Sequence, residues 1–242
     1  MRHQFVPRIV GVLLAFGSPA TANLIANPGF EAGSPNLGPR PIGYGDWRGD
    51  RVAYVGGTLG ITPFEGGRML RFINGEYVPS RSVTSQYWQN VDLGGFAVDI
   101  AAGRVVIDAA AWFNRVAGDA QTDTEFQLIL RARGGSPSAV IELGSVYAQL
   151  FADGDPTTWQ VARISGYLLP AGTTHLQLEL NAGENVFNDA TNPEFDGHLA
   201  DGVALSLAVV PEPTSLALGT IGLATLLGVS LRGRLRRRQA GG

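Results

Sequence analysis

There is no cysteine in the 242 residues of this chain. Thiol catalysis and zinc–cysteine sites are therefore excluded, and no disulfide can staple the fold. Lysine is absent as well, so all 18 basic residues are arginine. Of the three histidines, His3 lies at the extreme N-terminus, and neither His175 nor His198 belongs to a His-Glu-x-x-His pair. No Gly-x-Ser-x-Gly nucleophile elbow occurs. The glycine pairs at 56–57, 66–67 and 94–95 sit between β-type segments rather than before helices, which excludes a phosphate-binding loop.

Charge is unevenly placed. All 21 acidic residues fall within 23–212, against 11 arginines, which leaves that body near −10. The other seven arginines belong to the ends, Arg2 and Arg8 at the start, and Arg232, Arg234, Arg236, Arg237 and Arg238 at the finish. An acidic body argues against nucleic acid or anionic lipid as a partner. It is compatible with a divalent cation.

The two ends carry export signals. Arg2 and Arg8 precede and flank a short apolar run at 9–16, followed by Ala20-Thr21-Ala22. This order predicts a secretory signal peptide over 1–22, cleaved between Ala22 and Asn23. At the other end, 214–231 is an uncharged stretch of 18 residues rich in Leu, Ala and Gly. As a helix it would span about 27 Å, close to the roughly 30 Å hydrocarbon core. The five arginines behind it would hold that end on the cytoplasmic side, leaving the body across the membrane.

The body, 23–209, reads as one β domain. Strand patterns occur at 23–31, at Trp47, and at 52–55, 69–73, 85–93, 104–113 and 125–132. Further ones occur at 140–146, 159–168, 175–181 and 202–209. Residues 175–181 alternate strictly between polar and apolar, and periodicity leaves 146–151 open between strand and short helix. Eight to ten strands with Gly and Pro punctuation predict an all-β sandwich or barrel, with a jelly roll as first choice.

Pro211-Glu212-Pro213, the apolar stretch and the terminal arginines resemble the PEP-CTERM sorting signal of Gram-negative bacteria. That resemblance implies processing by an exosortase near Pro211-Glu212-Pro213. It also implies a membrane-tethered precursor and a final place at the cell surface or outside it, with exopolysaccharide as a potential partner. Residues 23–31 (Asn-Leu-Ile-Ala-Asn-Pro-Gly-Phe-Glu) and 196–207 resemble the opening and closing segments of galactose-binding and carbohydrate-binding-module sandwiches. His198-Leu199 departs from that pattern, which has an aromatic there. In the resembled modules, a Glu after the first strand and an Asp before the last meet and hold a structural Ca²⁺. The resemblance thus implies Glu31 and Asp201 as calcium ligands, and six to eight oxygens would be needed. The alternative is that both carboxylates cap turns or accept backbone N–H groups.

Sugar binding by stacking requires exposed rings. Trp47, in a Gly/Asp-rich stretch, is the ring expected to face a ligand, while Trp88 and Trp112 are assigned to the core. Asp189, Glu194 and Asp196 read as a solvated acidic loop, and Asp123 with Glu125 is a spacing common by chance. No catalytic residue is assigned. The chain reads as an exported, non-catalytic surface or matrix protein, with a glycan-binding module as the alternative and a glycan hydrolase behind it.

Overall fold

A computed structural model describes residues 22–73, 83–116, 124–184 and 197–211. The signal peptide expected over 1–22 lies outside the described residues except for Ala22, and so does the expected sorting segment from Glu212 onward, with residues 214–231 and the terminal arginines. So do Asp123, Asp189, Glu194 and Asp196. Among the described residues, no helix is long and apolar enough to cross a membrane.

The described strands form two sheets. The first runs β1 (Asn36–Leu37), β2 (Trp47–Gly49), β5 (Val83–Asp92), β10 (His175–Glu184), β7 (Glu125–Ser136) and β8 (Ala139–Phe151). The second runs β3 (Val52–Val55), β4 (Met69–Phe72), β11 (His198–Val209), β6 (Val105–Arg115) and β9 (Gln160–Leu168). All pairings are antiparallel except β1 with β2. A short helix, α1 (Ala97–Ala101), links β5 to β6, with Ile100 buried and Asp99 paired to Arg104 at 2.6 Å.

Period-two alternation builds the core between the sheets. From the first sheet, Leu176, Leu178, Leu180, Phe126, Leu128 and Leu130 are all fully buried. From the second, Val105, Ile107, Ala111, Phe113 and Leu205 meet them. Phe113 and Phe126 stack across the interface with centroids 4.8 Å apart. At about 1.5–3 kcal/mol per fully buried large apolar side chain, this layer is the main source of stability in a chain without disulfides.

Three expectations change. Residues 23–31 do not form a regular strand, although Leu24 N–H donates to Leu205 O at 2.9 Å and Ile25 and Phe30 are buried. The backbone turns there through positive φ at Asn27 (50°) and Phe30 (57°), and Asn27 closes the turn by bonding both the N–H and C=O of Ala32 at 3.0 Å. Residues 146–151 are strand, the second half of β8. Val146, Ala148 and Leu150 pack inward while Ser145, Tyr147 and Gln149 alternate outward.

The third change concerns Trp47. It is 4% exposed, in β2, with its ring stacked on Tyr87 at 5.7 Å and tilted against Phe30 at 5.3 Å. Its Nε1 donates to Ala26 O at 2.9 Å, so the ring has no free face for a sugar. Turns on both sides gave it a loop-like sequence context, but the pairing of Trp47 with Gln89 of β5 sets it inward. Trp47→Ala should lower unfolding free energy by about 3–5 kcal/mol, measured by urea denaturation.

Candidate functional site

The leucines of β10 determine where their neighbours go. With Leu176, Leu178 and Leu180 inward, His175, Gln177, Glu179 and Asn181 stand on the outer face of the first sheet. Register sets Trp88 and Ile129 on either side of Glu179, Asn90 and Arg131 beside Gln177, and Arg133 beside His175. Strand β8 adds Tyr147 next to Ile129 and Glu142 next to Arg133, and β2 adds Arg48 next to Trp88. An open sandwich face would be solvated, but this one is partly roofed.

The roof is the segment 39–45. Asn90 Nδ2 donates to Pro41 O at 2.7 Å and Gly43 O at 3.1 Å, and Gly45 N–H donates to Asn90 O at 2.9 Å. Tyr44 meets His175 edge-on at 5.8 Å, and the Arg40 guanidinium lies over the Trp88 ring at 5.4 Å. Beneath it runs a polar ladder. Arg133 Nη2 donates to Gln177 Oε1 at 3.3 Å, and Gln177 Nε2 donates to Asn90 Oδ1 at 3.2 Å. Arg133 also pairs with Glu142 at 2.7 Å, while Arg131 pairs with Glu179 at 3.2 Å and Glu142 at 3.9 Å. Between the roof and the β7–β8 turn opens a cavity of about 550 Å³, lined by Arg40, Arg133, Glu142 and Gln177 with Pro and aliphatic walls.

This face is buried yet incompletely bonded. Arg48 Nε, Trp88 Nε1, Arg133 Nε, His175 Nε2, Glu179 Oε1 and Asn181 Oδ1 are buried atoms without a hydrogen-bond partner among the described residues. A buried donor or acceptor left unmade costs about 1–3 kcal/mol, and of these residues Arg133 is the one that also lines the cavity. Burial pulls the Arg133 guanidinium below its ordinary value, opposed by Glu142 and reinforced by Arg131 and Arg40. Burial likewise lowers the His175 imidazole, with Arg133 adding and Asp92 opposing, which favours the neutral ring.

Sequence reasoning missed most of this set. Trp88, assigned to the core, is 6% exposed but belongs to the outer face, under Arg40. Tyr147, at 62% exposure on the rim of the same face, is the freest aromatic there. Trp112 is also not core: it stacks on Phe64 at 4.1 Å outside the second sheet, with Trp159 edge-on to Phe64 at 6.2 Å. The available signal was the polar half of the alternation in 175–181. Four polar residues in a strand with neighbours on both sides mark a face that meets something polar.

Glu31 and Asp201 converge on one segment, residues 64–68, as acceptors of N–H groups. Glu31 Oε1 accepts from Gly67 N–H at 2.9 Å and Arg68 N–H at 3.0 Å. Asp201, fully buried, accepts from Gly202 N–H at 2.8 Å and Glu65 N–H at 3.2 Å. The Arg68 guanidinium takes the carbonyls of Glu31, Gly33 and Tyr54 at 3.3, 3.1 and 3.2 Å. Glu65 shares this corner with Asp201: a Cβ on Gly29 would meet Glu65 Oε1 at 3.3 Å and Asp201 Oδ1 at 3.6 Å. Among the described residues, no three His, Asp or Glu side chains group closely enough to hold a metal by themselves. The Asn23 side chain bonds Val203 O at 2.8 Å and Leu205 N–H at 3.0 Å, and Val210 N–H reaches Arg104 O at 2.7 Å just before Pro211.

No family model and no curated protein matches the chain. Among solved structures, the sandwich is similar to TmCBM61 in complex with β-1,4-galactotriose, at 16% identity over 78% of this chain and 99% of that one (TM-score 0.48). It is similar to the CBM22-1 xylan-binding domain from Paenibacillus barcinonensis Xyn10C, at 15% identity over 81% and 100% of the two chains (TM-score 0.44). A cyclase from Fischerella sp. TAU in complex with an indolyl butanone has 14% identity over 78% and 98% (TM-score 0.45). No ligand or reaction for this chain follows from these likenesses.

Asp201 gives a pH test. Burial foremost raises its carboxyl to about 6, with the Glu65 carboxylate adding and the backbone N–H groups of Glu65, Gly202 and Phe64 opposing. The folded state therefore holds the proton more tightly than the unfolded chain, whose Asp titrates near about 3.9. That contribution to stability is fully present below the unfolded value and is lost as pH rises through about 6. In EDTA, the melting temperature should fall across this window, and Asp201→Asn should remove the slope.

Proposed function

We propose that this chain is an exported, non-catalytic glycan-binding protein whose ligand lies on the outer face of the first sheet, beneath and beside residues 39–45. One observation carries this reading: Arg133, nearly buried and with its Nε unpartnered among the described residues, lines an open cavity of about 550 Å³ on that face together with Arg40, Glu142 and Gln177. Sugar hydroxyls both donate and accept, which suits a mixed set of guanidinium, imidazole, indole, carboxylate and amide groups. Tyr147 at the rim offers an exposed ring for the apolar face of a pyranose. Glu142 and Glu179 both pair with Arg131, which suits a binding ladder rather than the free acid that glycosidic cleavage requires.

Export and sorting complete the proposal. A signal peptide ending at Ala22 frees Asn23, whose side chain is already bonded within the fold. Exosortase acting near Pro211-Glu212-Pro213 would release the body from its membrane helix to the cell surface, where exopolysaccharide is the available partner. Glu212→Ala or loss of Arg232, Arg234, Arg236, Arg237 and Arg238 should leave the precursor in the membrane, seen by fractionation.

A structural calcium is compatible with Asp201 and Glu65, whose oxygens face one point beside Gly29, together with backbone carbonyls. Glu31 has the weaker claim, since Gly67 and Arg68 already engage it. Calcium at such a site would raise the melting temperature in wild type and leave Asp201→Asn unmoved.

The glycan reading is tested by calorimetric titration of the full chain with soluble polysaccharides. Tyr147→Ala and Glu179→Gln should each weaken binding at least about tenfold, or ~1.4 kcal/mol, with unchanged circular dichroism. Unaltered affinity in both variants would remove the site from this face.

A further inference from the structure

We infer that the cleft is built for an acidic glycan, with a uronic acid carboxylate held between Arg40 and Arg133. The inference rests on the glycan reading above and adds the class of sugar. Arg133 is 6% exposed and lines the cavity; Nη1 is on Glu142 and Nη2 on Gln177, while its Nε has no partner. Arg40 lines the same cavity from the roof and has no carboxylate partner among the described residues, its guanidinium being set over Trp88 at 5.4 Å. Of the charged groups in the cavity wall, Glu142 is the one anion, and it already serves Arg133 at 2.7 Å and Arg131 at 3.9 Å.

Arg40, Arg48, Arg131 and Arg133 gather there with Glu142, Glu179, Asp92 and Glu125, a balanced set in a body that is near −10 as a whole, and the cavity wall itself carries Arg40 and Arg133 against Glu142. An acidic polymer would be repelled over most of such a surface and admitted at this cleft, which fixes where it docks. Guanidinium is planar and matches a carboxylate through two parallel N–H bonds, whereas tetrahedral sulfate or phosphate esters share the charge without that shape. A carboxylate in the cavity would also offset the mutual repulsion of Arg133 with Arg131 and Arg40.

The test is titration of the full chain with polygalacturonate, with neutral galactan and with dextran sulfate, each at low and high salt. Polygalacturonate should bind at least tenfold more tightly than either, and the preference should shrink as salt rises. Arg40→Gln, at an exposed position, should cut the polygalacturonate preference at least tenfold, and Arg133→Lys should restore less than half of what Arg133→Gln loses. Equal affinity for galactan and polygalacturonate overturns the inference and leaves the glycan reading standing. Tighter binding of dextran sulfate overturns the carboxylate claim. Binding of none of the three overturns both.

Discussion

Everything in this molecule follows from the packing of one strand. Leu176, Leu178 and Leu180 of β10 are fully buried against the opposing sheet, and a strand has only two faces. Fixing the leucines inward commits His175, Gln177, Glu179 and Asn181 to the other side, where β5 and β7 supply further polar groups in register. A slip of one residue would exchange the two sets and abolish core and cleft together. Without a disulfide, that hydrophobic layer is the element that keeps the register.

The outer face is then a problem with a specific form. Glu179 and His175 are at most 1% exposed, and Arg133 is nearly so, yet each keeps an atom without a hydrogen-bond partner among the described residues. Burying polar groups without satisfying them is costly, and the arrangement persists because the roof is anchored elsewhere, by Asn90 to Pro41 and Gly43. Asn90 also accepts from Gln177, so the roof and the arginine ladder share one polar network. Such a face is preorganised: its side chains are already held apart and aimed, which lowers the ordering cost of binding.

Much of the fold was legible in the sequence. The alternation at 175–181 and the continuous apolar run at 104–113 correspond to β10 and β6. The opening segment at 23–31 was not, because its apolar residues are held by positive φ at Asn27 and Phe30 and by side-chain bonds rather than by a regular ladder. The site was harder. Trp47 looked exposed because turns surround it, and only cross-strand pairing with β5 turns it inward. Arg40, Arg131, Arg133, Glu142 and Glu179 lie up to 139 positions apart and are joined by strand pairing, which composition does not encode. Glu31 and Asp201 were paired as calcium ligands from resemblance; in the structure each accepts backbone N–H groups of residues 65–68, and Glu65 near Asp201 carries no sequence signal.

The central claim is that the outer face of the first sheet, and not another surface, receives the glycan. The second aromatic group of Phe64, Trp112 and Trp159 outside the other sheet makes the claim a contest between two surfaces. Amide chemical-shift mapping during titration with a uronic acid oligosaccharide decides between them. The account predicts that the largest shifts fall on Trp88, Ile129, Tyr147, Gln177 and Glu179. Shifts centred on Phe64 and Trp112, with those residues still, would contradict it.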